Sequence, residues 1–154
     1  MQVKWIAIGL MGVVVAITPS AMNAATRHPV YQRARNSLRL AQFLMRIPEQ
    51  PEIVKNLLAA DAELELAVAE IDKAAILDHR NLADAPPLFE NPDRRHRFAK
   101  IVALLRSARA DMSKEEDNEA ARAHRDEAGK HIDSALEHIH RAAIDLHWEK
   151  ELRF

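Results

Sequence analysis

The sequence predicts an all-α fold: an antiparallel four-helix bundle built from two repeated helical hairpins and preceded by a signal peptide. Three observations carry this expectation. Apolar residues recur at alternating spacings of three and four, as the buried stripe of an amphipathic helix does. That pattern is written twice, about 67 residues apart: Tyr31, Ala34, Leu38, Ala41 and Met45 match Phe98, Ile101, Leu105, Ala108 and Met112, and Leu64, Ala67, Ile71 and Ala74 match Ile132, Ala135, Ile139 and Ala142. The composition is that of a helix former, with 48% hydrophobic residues, 29% charged residues and three glycines, two of them within the first 25 positions. A hairpin with one apolar stripe per helix cannot bury those stripes alone, so the two copies are expected to close on each other.

The first element is the signal peptide, residues 1–25. Lys4 supplies a short basic region, Trp5 to Ile17 form an apolar run, and Pro19, Ser20 and a small-residue patch ending in Ala24-Ala25 follow. At 13 residues the run falls short of the roughly 20 that a spanning helix needs, which favours a cleaved secretory signal. Met22 or Asn23 falls at the third position before the cut, a poor fit to the cleavage rule, so retention as an N-terminal anchor is the alternative. The bundle domain then occupies residues 26–154.

Hairpin one spans about 29–78. Its first helix opens at His28-Pro29, since proline is tolerated at the first helical position, and runs to about Arg46 before Pro48 and Pro51 stop it. The second helix starts near Pro51 and continues past Ile76, with Leu57, Ala60 or Asp61, Leu64, Ala67, Ile71 and Ala74 as its stripe. Between His79 and Asn91 the periodicity gives way to Asn81, Asp84, Pro86 and Pro87, a link between hairpins. Hairpin two spans about 92–148: Asn91 is expected to cap a helix beginning at Pro92 and ending at Met112, and Ser113-Lys-Glu-Glu116 has the spacing of a capping box for a fourth helix reaching Trp148. Glu115, Glu116 and Asp117 would then sit in its first turn, where the helix dipole favours acids.

Composition and charge narrow the function classes. There is no cysteine, hence no disulfide, lipid-attachment thiol or covalent c-type haem motif. Removing Lys4 with the signal leaves 21 bases against 23 acids, a formal charge of −2, and no basic stripe interleaved with aromatics occurs, so neither nucleic acid nor an anionic membrane surface is an expected partner. The compartment expected is the periplasm of a Gram-negative bacterium, or the exterior, with no membrane span once the signal is cut.

Eight histidines are the compositional oddity. His124, His131 and His138 are seven apart and form one row beside the Ile132, Ile139, Leu146 stripe, and Glu127 lies between the first two at spacings of three and four. His124, Glu127, His131 and His138 are therefore the candidate ligands of a Zn or Cu ion. The structural reading is that these rings sit half-buried at a helix rim and donate to carboxylates on the neighbouring helix or to water; it is favoured because a row on one helix still needs a second helix to close a metal shell. His140 and His147 are expected to be solvated, and His79 and His147, equivalent in the repeat, to share a role at a helix end. Met45 and Met112 with these histidines carry the atom types of a b-type haem site, yet they occupy matched stripe positions where methionine fills core space. No nucleophile elbow, phosphate-cradling glycine loop, paired Glu-x-x-His or Ser–His–acid grouping is present, and the runs Arg94–Arg97 and Lys114–Asp117 read as solvated helix starts. An enzyme is not expected.

His28-Pro29-Val30-Tyr31, the link Asn81-Leu82-Ala83-Asp84-Ala85-Pro86-Pro87, and the stretch from Ala108-Arg109-Ala110-Asp111 through Glu116-Asp117-Asn118 together resemble an uncharacterised family of small exported helical proteins of proteobacteria and acidobacteria. The resemblance implies export and the two-hairpin layout, and carries no catalytic residue across. The expected function is that of an exported, non-catalytic helical module that binds or scaffolds a protein or cell-envelope partner, with a homodimer as one outcome of its long apolar seams; the alternative is a metal-binding or haem-binding bundle.

Overall fold

A computed structural model describes residues 29–79, 82, 93–114 and 118–154. Among these the chain is all-helical: α1 is Pro29–Met45, α2 Pro51–Leu77, α3 Arg94–Met112 and α4 Glu119–Asp145, with no strand. The signal peptide, His28, the Asn91-Pro92 helix start, the Glu115–Asp117 cluster and all of the link except His79 and Leu82 lie outside the described residues.

Each helix exists for a reason visible in its sequence. Proline at the first position and proline just beyond the end bracket α1, and Pro51 opens α2 because its missing N–H is one the first turn leaves unbonded anyway. The other two starts differ from expectation. Asp93, not Asn91, caps α3, its carboxylate accepting the His96 N–H at 3.1 Å. The cap of α4 is Asn118, whose Oδ1 accepts from the amides of Ala120 and Ala121 at 3.1 and 3.3 Å. Ser113 instead closes α3: its backbone bonds Arg109 and its hydroxyl donates to the Ala110 carbonyl at 2.9 Å. The capping-box spacing from Ser113 to Glu116 was real, but the residue is spent on the carbonyls of the helix before it.

Ion pairs give the directions. Arg33 meets Asp111 and Arg97 meets Glu49, so α1 and α3 are antiparallel; His124 meets Glu70 and His131 meets Glu63, so α2 and α4 are antiparallel. Arg35 reaches Asp72 between α1 and α2, and Arg109 reaches Asp133 between α3 and α4. Around the bundle the order is therefore α1, α2, α4, α3, with α1 and α4 diagonal and α2 and α3 diagonal. The end of α2 and the start of α3 lie at opposite ends of the bundle.

The most extensive interface is α2 against α4. Its cause is a heptad row of alanines on each helix, Ala60, Ala67 and Ala74 on one and Ala121, Ala128, Ala135 and Ala142 on the other, all inaccessible to solvent. Small side chains at every seventh position let the two backbones approach, and Leu64, Ile71, Ile132 and Ile139 fill the space beside them. All ten stripe residues of α1 and α3 named from sequence are buried, as are Leu57 and the eight matched residues of α2 and α4, whereas Leu146, also placed on the α4 stripe, is half-buried and lies just beyond that helix. At the position left open, Ala60 faces inward and Asp61 lies at the rim.

α4 stops at Asp145 instead of running to Trp148, and the last nine residues fold back over the start of α3. Trp148 packs edge-on against Phe98 with ring centroids 5.7 Å apart, and Leu152 joins the core. His79 and His147 do share a helix-end role, by backbone and not by ring. Both adopt left-handed φ, 53° and 57°, one residue beyond the cap, and their amides bond the Ile76 and Ile144 carbonyls at 3.0 and 2.9 Å. A side-chain-bearing residue costs energy in that conformation, so His79→Gly and His147→Gly are each expected to raise stability by about 0.5–1 kcal/mol in urea titrations.

Candidate functional site

The histidine row lies along the α2–α4 interface, where α2 supplies acids at the same seven-residue spacing. His124 Nδ1 is 2.5 Å from Glu70 Oε2, and His131 Nδ1 is 2.7 Å from Glu63 Oε2. The same register places Asn56 opposite His138. Asn56 donates instead to Asp145 at 3.1 Å, and His138 Nδ1 is closed off from solvent with no hydrogen-bond partner among the described residues. Glu127 Oε1 stands 3.9 Å from His131 Nε2 and is held by Lys130 at 2.7 Å. Of the four candidate ligands, His131 and Glu127 therefore come together, with Glu63 on the other ring nitrogen. His124 and His138 are each two turns away, about 10 Å along the axis. Among the described residues no three His, Asp or Glu side chains converge as a metal shell requires. The half-buried rim geometry, with carboxylates from the neighbouring helix, is the arrangement present.

The other sequence candidates are placed as follows. Met45 and Met112 are buried in the core cluster. His140 is not freely solvated: it is half-buried and stacks on Phe154, ring centroids 4.7 Å apart at 17°. His147 is exposed.

Sequence reasoning missed the buried charges. Arg97, in the run Arg94–Arg97 that by sequence reads as a solvated helix start, is buried and pairs with the Glu49 carboxylate, whose side chain is also buried; Arg94 reaches the same carboxylate at 2.7 Å and lies 5.3 Å from the Trp148 ring centroid. Burial lowers the Arg97 pKa. Arg125 occupies the stripe position that Leu57 holds in hairpin one, and its guanidinium donates to the Met112 carbonyl at 2.9 Å, closing the end of α3. The available signal was adjacency: Arg97 precedes Phe98 and Asp111 precedes Met112, so each flanks the stripe.

Asp111 takes both nitrogens of the Arg33 fork, at 2.7 and 3.2 Å, and Lys114 at 2.5 Å. Burial alone would raise its pKa, but the bonds from Arg33 and Lys114 outweigh it and hold the carboxyl below its usual 3.8. Glu70 is held below 4.5 by Lys73, assisted by His124 and opposed by burial. A carboxylate lowered by folding stabilises above its unfolded pKa and loses that contribution as pH falls through the lowered folded value. The melting temperature should therefore drop as pH falls below about 4.5, and Asp111→Asn should start lower at neutral pH and decline less steeply in the same scan.

Among the described residues, two clefts and one apolar face stand apart from the histidine row. The cleft at the α1–α2 turn, about 220 Å³, has apolar walls of Met45, Ile47, Leu57 and Leu58 with Asp61 at its edge. Its counterpart at the α3–α4 turn, about 700 Å³, is lined by Arg109, Lys114, Arg122, Arg125 and Lys130. Those cations are engaged within the fold: Arg109 with Asp133, Lys114 with Asp111, Lys130 with Glu127 and Arg125 with backbone carbonyls. The open face belongs to α2, where Leu58, Leu66 and Ile76 are 64%, 50% and 70% exposed along one side of the helix.

No family model matches the chain, and no curated protein or solved structure is detectably similar to it.

Proposed function

We propose that this chain is an exported, non-catalytic helical bundle, made of two repeated hairpins, that serves as a binding or scaffolding module in the periplasm or cell envelope. The observation that carries the reading is the outer face of α2. Leu58, Leu66 and Ile76 are each at least half exposed on one side of this helix, with Ala62 and Ala69 exposed beside the two leucines and Lys73 ahead of Ile76. The repeat is supported by the identical burial of matched stripe residues in the two halves, and by a register in which matched positions, Glu63 and His131, meet each other. Export is supported by the basic residue, apolar run and small-residue patch of residues 1–25. No helix of the described residues is long and apolar enough to cross a membrane.

A second reading, Zn or Cu binding with b-type haem as its lesser form, is favoured by one observation: the buried, partnerless Nδ1 of His138 in a row whose other members hold carboxylates. One preparation separates the readings. Protein isolated from its producing cells by osmotic shock is expected to begin near Thr26, to carry substoichiometric Zn, Cu and Fe by elemental analysis, and to show no Soret band. Stoichiometric metal that disappears in His131→Ala, with a melting temperature raised by that metal, would install the second reading.

A further inference from the structure

The clefts at the two hairpin turns occupy matched places in the repeat. Met45, Ile47, Leu57 and Leu58 around the first correspond to Met112, Lys114, Arg125 and Asp126 around the second. In hairpin two the helix end is closed from within. The buried Arg125 fork donates to the Met112 carbonyl, from Nη2 at 2.9 Å and from Nε at 3.2 Å, and to the Lys114 carbonyl just beyond it. α3 therefore ends on a cation that answers both its unbonded carbonyls and the negative pole of its dipole. In hairpin one that position is Leu57, which has nothing to donate, so the Met45 and Ile47 carbonyls at the end of α1 gain no bond from it.

Asp61, at the edge of the first cleft, supplies an independent observation. Its Oδ2 accepts from the exposed Arg46 at 3.0 and 3.1 Å, whereas its Oδ1 is closed off from solvent with no hydrogen-bond partner among the described residues. A buried carboxylate oxygen without a donor is costly, and the torsion at χ2 is soft enough to turn it toward the cleft. The acid belongs to this copy alone: α4 has Gly129 at the matched position, where the Arg109 guanidinium lies 3.2 Å from the place a Cβ would take. The first cleft thus joins a helix C-terminus, an unspent carboxylate oxygen and apolar walls, with leucine where its twin carries the cation. Size narrows the ligand to one side chain, since about 220 Å³ is below the roughly 300–1,000 Å³ of small-molecule pockets. A planar guanidinium reaches two oxygens at once, as Arg125 does, and suits this set better than an ammonium. Resting on the binding-module reading, we propose that the cleft at the α1–α2 turn receives an arginine side chain of a partner protein. Its methylene stem lies along Met45, Ile47 and Leu57, and its guanidinium meets the α1 carbonyls and Asp61.

The test titrates isotope-labelled protein, purified from its producing cells, with N-acetyl-arginine amide and with its neutral isostere N-acetyl-citrulline amide, followed by amide shifts in two-dimensional NMR. Saturable shifts at Ile47, Leu57, Leu58 and Asp61 are expected with the arginine probe, and binding at least tenfold weaker with the citrulline probe. Asp61→Asn is expected to bind the arginine probe at least tenfold more weakly than the parent, and to melt within a few degrees of it because the Arg46 pair it weakens is exposed. Leu57→Arg puts on α2 the residue that α4 carries, and is expected to fill the cleft with its own fork and end probe binding. Should that variant fail to fold, the two probes and Asp61→Asn decide alone. Equal binding of both probes, equal binding by parent and Asp61→Asn, undiminished binding by folded Leu57→Arg, or shifts confined to surface acids away from the cleft would each overturn the proposal. Arginine binding in the cleft with no cellular cross-link from position 58 or 66 would assign the site to a free guanidinium compound and overturn the partner assignment. Cross-linking from position 66 without arginine binding would overturn the cleft assignment while leaving the binding-module reading in place.

Discussion

Leu105→Ala is expected to lower the free energy of unfolding by about 2–5 kcal/mol, and Leu38→Ala by a similar amount. Both side chains are inaccessible to solvent and hold matched stripe positions, one on α3 and one on α1. The antiparallel register set by Arg33 with Asp111 and Arg97 with Glu49 brings these two positions level with each other near the middle of the bundle. Removing a leucine there forfeits the transfer energy of its buried methyls and leaves a void that neighbouring alanines are too short to fill. Against a total stability of about 5–15 kcal/mol for a domain of this size, either change moves the urea midpoint by a large fraction. Two features of the measurement are specific to this architecture. The two single losses should agree within about 1 kcal/mol, and the double variant should depart from additivity, because level positions share one void. A near-zero effect at either site would separate the two stripes.

Glu49→Ala is expected to cost about 3–5 kcal/mol, as breaking a buried ion pair does. The carboxylate is the shared partner of Arg97 and Arg94 at the end of the bundle where α1 stops and α3 begins, and the Arg97 side chain is as buried as its own. Its loss leaves a guanidinium out of water with no counter-charge. Two controls identify the mechanism. Glu49→Met with Arg97→Met removes both charges at similar volume and should recover much of the loss, and the ion-pair contribution should persist in 1 M salt. By contrast, Arg46→Ala breaks the exposed contacts to Asp61 and Glu65, at 3.0 and 3.1 Å, and should cost less than about 1 kcal/mol, shrinking with salt.

The stripes were legible because burial leaves a periodic trace. Every apolar residue placed on them, from Tyr31 to Ala142, is inside. The starts of α1 and α2 were legible through their prolines. The starts of α3 and α4 were not, because caps are short polar residues that serve either end of a helix: Ser113 fits a start by spacing and terminates α3 by geometry. The histidine row was readable as a row, while its partners Glu63 and Glu70 became identifiable only once α2 was known to run antiparallel beside α4. Arg97 and Arg125 escaped detection because residue type alone assigns a charge to the surface, and burial of a charge is decided by a partner distant in sequence. The outer face of α2 was overlooked for a related reason. Leu58 and Leu66 look like ordinary helix leucines until their exposure is compared with the polar residues at the matched α4 positions.

The division of labour between inward stripes and the outer face of α2 is tested most directly by photo-cross-linking in the producing cell. p-Benzoylphenylalanine is placed at position 66 on α2 or at the matched position 134 on α4, in otherwise unaltered protein. A discrete heavier adduct from position 66, absent from position 134 and abolished when Leu58→Ser is added, is the predicted result. Adducts of equal yield from both positions, or none from 66 while metal is found bound at His131, would contradict the account.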